Sequence, residues 1–188
     1  MAKIKTTVNL ISYDGFNKEE TEKLFRAVEL LTVGINSDAF KRSVLAHAYK
    51  GKKQFAKNDG LTNQQVYNRF MSGDDRNGNG ADNKLDLRWK IVATLCPETA
   101  IGTTFNRTRT ETYRCKLQEM DAGEFAGHIA HEYCHYLGFG HTRHHTAERP
   151  YTVPYGIGKM VRRICDVVMS GVTAEDLKKL AALQQLVK

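Results

Sequence analysis

The residues best able to do chemistry are gathered in one stretch, HEYCHYLGFGH, residues 131 to 141. His131 and His135 are four apart, so on a helix they stand one turn above each other and can share one ion. Zinc takes imidazole nitrogens at roughly 2.0–2.1 Å and, in catalytic sites, keeps a position open for water. Glu132, beside the first histidine, can hold that water and accept its proton. Gly138 follows His135 by three residues, where positive φ would end the helix in a tight turn. The chain then reverses and can bring His141 to the same metal. A helix whose histidines merely align, or a structural zinc site, would use the same residue types. Such a site would have no use for a base at Glu132.

The elements that must position this stretch can be read outward from it. Asp121 opens its helix, and Glu124 three residues later completes a capping-box pattern. Phe125, Ile129, Tyr133 and Leu137 fall on one face, away from the ligand arc. Upstream, Lys3–Ser12 alternates as a strand, and Asn17 caps a helix running to about Val33. Ser37–Tyr49 and Thr62–Met71 read as further helices. Gly, Asp and Asn then crowd SGDDRNGNGADN, which must be loop. Leu85–Leu95 and Thr112–Leu117 read as strands joined through a segment containing Pro97 and Gly102. Thr146–Gly158 is turn-rich, and helices are expected at about 159–169 and 174–187. This order suggests an α+β fold.

At residues 131–141 the chain resembles the metzincin clan of zinc peptidases, whose signature is HExxHxxGxxH. The resemblance covers about a dozen residues closely. It implies zinc ligands His131, His135 and His141, and a general base at Glu132. It also implies a metalloendopeptidase acting on peptide or protein substrates, with a twisted sheet, an active-site cleft and a mainly helical C-terminal part. Metzincins place an antiparallel edge strand ahead of the motif helix, and Thr112–Leu117 is the segment in that position. They also place a methionine-containing turn under the metal. Met160, Met169 and a floor without methionine all stay open, and the Pro154–Tyr155–Gly156 turn is a candidate for the last. Tyr155 or Tyr151 could reach an oxyanion. A zinc-stabilised binding domain, and a zinc hydrolase of a non-peptide amide, are the alternatives.

Weaker signals lie elsewhere. Asp75, Asn77, Asn79, Gly80 and Asp86 match part of a calcium-loop pattern. Asp82 stands where an apolar residue is usual, and the last acid is Asp instead of a bidentate Glu. A plain loop is therefore favoured over a Ca2+ site. His128, one turn before His131, reads as a supporting or solvent-facing residue, His144 and His145 as surface residues, and Cys134 as packing.

At 188 residues and 21.3 kDa, with 41% hydrophobic and 26% charged residues, the chain reads as one soluble domain, 1–188. No apolar run approaches a bilayer span, and no signal peptide is visible. The net charge of +7 is spread along the chain, so no nucleic-acid arm is expected. Cys96, Cys115, Cys134 and Cys165 form no CxxC pair, leaving their disulfide state and the compartment open. Oligomeric state is not encoded in any pattern found.

Overall fold

The computed structural model describes residues 6–171 apart from 79, 99 and 143. Helix α1, Lys18–Ile35, starts where Asn17 accepts the Glu20 N–H and the Glu20 carboxylate accepts the Asn17 N–H. Ser37 and Thr62 cap α2 (Asp38–Ala46) and α3 (Asn63–Ser72) by the same side-chain chemistry. Strands β1 (Thr7–Asp14), β2 (Lys84–Val92), β3 (Gly102–Phe105) and β4 (Arg109–Tyr113) form one sheet. Its order is β1-β2-β4-β3, with β1, β2 and β4 parallel and β3 antiparallel at the edge. The fold is α+β, with a small mixed open sheet and six α-helices among the described residues.

Leu85, Leu87, Trp89 and Ile91 alternate along β2 and are all buried, which puts them on one face of the sheet. Against this face packs α5, Ala122–Tyr136, with Phe125 edge-on to Trp89 at 5.9 Å between ring centroids. Helix α6, Val153–Met169, crosses α5 on its other side. The crossing is close because both helices carry glycine there. A Cβ on Gly127 would stand 2.9 Å from the Gly158 carbonyl oxygen, and one on Gly158 would stand 2.8 Å from that of Gly127. The core thus grips the motif helix from both sides.

Four sequence expectations are corrected. Thr112–Leu117 is not a strand: β4 stops at Tyr113, and Arg114–Glu119 forms a short helix, α4. RCKLQE is rich in good helix formers, which overrode the short alternation read from it. The antiparallel edge strand is β3, which lies in the segment read as a connection. Thr146–Gly158 is not turn throughout, since a 3-10 turn at Arg149–Tyr151 leads directly into α6. Pro154 sits in the first turn of α6, where its missing N–H costs nothing. Gly156 and Gly158 serve close packing inside the helix, where Phe55 and Gly127 leave no room for a Cβ. Leu85–Leu95 is shortened to end at Val92, and the strand expected to end at Ser12 runs on to Asp14, with residues 3–5 of that expectation outside the described residues. The helix expected at 174–187 lies outside the described residues.

Cys96 and Cys115 form a disulfide that ties the segment before β3 to α4, while Cys134 and Cys165 are free and buried. No helix among the described residues is long and apolar enough to cross a membrane.

The segment Asp75–Asp86 is organised by its first acid. Asp75 Oδ1 accepts the N–H groups of Asn77 and Gly78, and Oδ2 accepts the Asp86 N–H and the Tyr133 hydroxyl at 2.9 Å. Both carboxylate oxygens are engaged by donors, and the bond to Tyr133 anchors the loop to the motif helix. Asn79, part of the calcium-loop pattern, is outside the described residues. Asp75→Ala strands the buried Tyr133 hydroxyl, at a cost of about 1–3 kcal/mol. Chemical denaturation should show that loss. An Asp75→Ala midpoint equal to wild type contradicts the anchoring role.

Candidate metal centre

The motif helix is fixed at both ends by its own sequence. At its start Asp121 and Glu124 form a full capping box. At its end Gly138, with φ of 96°, donates to the His135 carbonyl, and Phe139 donates to that of Cys134. This is a Schellman closure, and it requires the left-handed residue that glycine supplies. The same turn aims the Phe139 carbonyl back at the His135 ring.

That carbonyl decides the ring's tautomer. His135 Nδ1 lies 2.7 Å from the Phe139 oxygen, which can only accept, so the proton is on Nδ1 and Nε2 is a free donor to metal. His141 is set in the same way by the Thr142 carbonyl at 3.0 Å. The ligand atoms of His131, His135 and His141 lie within 4.8 Å of one another. His131 Nε2 and His141 Nε2 are 3.3 Å apart. Two nitrogens on one tetrahedral ion, each at roughly 2.0–2.1 Å, stand about 3.3–3.4 Å from each other. The His131–His141 pair has that spacing, and the three imidazoles together could hold a metal ion.

Burial keeps these rings neutral, as ligands must be. It lowers His131 well below the usual imidazole value, His135 to about 4, and His141 to a smaller degree. In the metal-free protein this has a consequence for stability. His47, His128, His131, His135 and His141 are all harder to protonate folded than unfolded, His128 only at about 3. Below the unfolded imidazole value of about 6.5 the unfolded chain binds more protons, so stability falls with pH. Glu132 and Asp75, raised by burial, work in the opposite sense but are outnumbered. The metal-free melting temperature should drop between pH 7 and pH 5. A level or rising melting temperature over that range contradicts the buried-imidazole account.

Glu132 is 4% exposed, and burial raises its carboxyl to about 7, opposed by the Thr104 hydrogen bond. The Thr104 hydroxyl on β3 donates to Glu132 Oε2 at 2.6 Å. Behind it, Thr104 and Thr110 share a hydroxyl contact at 2.9 Å, Thr110 meets Tyr136, and Tyr136 donates to the Arg88 carbonyl. A second chain ends near the other oxygen without bonding it. Trp89 donates to Thr112 Oγ1, whose own hydrogen is left to donate to His128 Nε2 at 3.1 Å. This puts the His128 proton on Nδ1, which faces Glu132 Oε1 at 3.8 Å. His128 is buried, at 8% exposure, and lies beside Glu132 instead of facing solvent.

Tyr155 forms the floor. Its ring stands edge-on to His131 and His141 at 4.6 and 4.9 Å between centroids, with Arg149 over its face at 4.8 Å and hydrogen-bonded to it. Gly158 lets His131 approach α6, since a Cβ there would lie 3.1 Å from the His131 Cβ. Tyr151 packs on Tyr49 and His47, apart from the three histidines. Met169 reaches toward Gly123 at the far end of α5, and Met160 packs against the core; neither lines the cleft. His144 and His145 are exposed on the cleft rim, and Cys134 is buried, its thiol donating to the Ala130 carbonyl.

Thr104, Thr112 and Arg149 escaped the sequence reading. Threonine and arginine carry no spacing signature, and Thr104 became a candidate only once β3 was placed beside α5. The site occupies a cleft of about 1250 Å³ running along β3. Fold and site together define an α+β protein with a three-histidine group that could hold a metal ion. The chain matches no family model, no curated protein and no solved structure among those compared.

Proposed function

We propose that this chain is a zinc-dependent metallopeptidase in which Glu132 is the general base. The observation that carries the reading is the juxtaposition of three convergent imidazoles with a buried carboxylate, under an open sheet edge. A zinc ion held by His131, His135 and His141 would supply Lewis acidity that brings the pKa of a bound water toward about 7. Glu132 then takes the proton of the attacking water and passes it to the leaving amine. The Thr104 hydroxyl holds the carboxylate in place during both transfers. Tyr155, between His131 and His141, is the side chain placed to donate to a developing oxyanion.

The edge of β3 not paired with β4 offers backbone N–H and C=O groups to an extended peptide. An antiparallel edge strand beside the motif helix is also what the metzincin resemblance implies. A floor made by Tyr155 and Gly158 departs from the methionine turn of that clan, so the resemblance is closest at the ligands and the edge strand.

Digestion of a diverse peptide library, read by mass spectrometry, tests the reading. New internal termini should accumulate with zinc present and cease with a chelator. Stoichiometric zinc binding without any cleavage would favour a binding domain. Cleavage that ignores the chelator would place the chemistry elsewhere.

A further inference from the structure

Across the chain, Lys and Arg outnumber Asp and Glu by 28 to 21. The cleft is more one-sided. Arg107, Arg149, Lys159 and Arg162 line it, against Glu124 and Glu132. Neither acid is available to a ligand as a surface charge: Glu124 is ion-paired with Arg162, and Glu132 is buried at the base of the site.

The cations are distributed at both ends. Arg107 lies at the tip of the β3–β4 hairpin, its guanidinium so close to Gly138 that a Cβ there would meet it at 2.7 Å. Arg162 lies beside Gly127, next to His128, which in turn faces Gly102 at the start of β3. Lys159 is on the same stretch of α6. Thr104, bonded to Glu132, is between the two groups and marks the reacting position. Arg107 is three residues beyond Thr104, and Gly102 two before it. Neither Arg107 nor Lys159 makes an ion pair with a carboxylate among the described residues.

We propose that the substrate of this site is an anionic peptide, bound extended along β3 with acidic side chains about two to three residues on each side of the scissile bond. The proposal rests on the peptidase reading of the cleft. Acidic side chains at those places meet Arg107 on one side and Lys159 on the other, whereas lysines there meet like charge. The field of the remaining cations also favours approach of negative chains.

The test uses three synthetic peptides of equal length with Asp/Glu, Ala/Ser or Lys flanks. Their binding to zinc-loaded Glu132→Gln protein is read by fluorescence anisotropy. At low salt the acidic peptide should bind at least about tenfold more tightly than the lysine peptide, and the gap should shrink as salt screens the charges. The double variant Arg107→Glu, Lys159→Glu should erase or reverse the order. Equal affinities, a salt-independent order, or an order unchanged in the double variant would overturn the proposal. Hydrolysis by the wild-type protein is scored separately. Acid-selective binding without cleavage keeps the anionic ligand and removes the peptidase reading. Cleavage of all three peptides, with binding indifferent to charge, does the reverse.

Discussion

Glu132→Gln is expected to lose peptide hydrolysis by about 10²–10⁴-fold, the range that general-base catalysis contributes, while zinc content stays at the wild-type level. The substitution keeps the side chain's size, and its amide oxygen can still accept from the Thr104 hydroxyl that bonds Glu132 at 2.6 Å. What disappears is the ability to hold a proton in transit. Because the carboxyl is buried and its charged form is disfavoured there, the neutral amide should not lower the melting temperature. The loss should fall on kcat, since Glu132 is buried and offers little surface for ground-state binding. A Gln variant as active as wild type would put the chemistry outside this motif.

His135→Ala should be nearly as severe, through a different route. It removes one of the three proposed ligands and leaves the Phe139 carbonyl without the ring that bonds it at 2.7 Å. Zinc affinity should fall by more than the roughly 10–100-fold that loss of a supporting hydrogen bond alone costs. Elemental analysis after gel filtration should therefore find little zinc in the variant. The helix itself should persist, because its caps at Asp121 and Gly138 are untouched. Undiminished zinc in His135→Ala would remove His135 from the ligand set.

The site was legible where function and local geometry coincide. Four-residue spacing on a helix and a glycine at its end are local properties, and the structure brings His131, His135 and His141 together as that spacing implies. The helix caps read at Asn17 and Asp121 are local as well. Legibility failed where a residue's role depends on a distant partner. Gly156 and Gly158 look like turn residues until Phe55 and Gly127 are set against them. GTTF, residues 102–105, is too short to stand out as a strand, and it exists because β4 pairs with it. Cys96 and Cys115 carry no motif, and only the fold brings them into bonding distance. Asp75 matches part of a calcium-loop pattern, though a plain loop is favoured, and what it does bond, above all Tyr133, lies 11 or more residues away or on the backbone and carries no sequence signal.

Titration of the metal-free protein with zinc, while following hydrolysis of a quenched acidic peptide, is the most direct test of a zinc peptidase built on this motif. Hydrolysis should be absent at the start, rise in proportion to added zinc, and break to a plateau at one equivalent per chain. Hydrolysis that is present before zinc is added, or that never appears at any zinc level although one equivalent binds, would contradict the account.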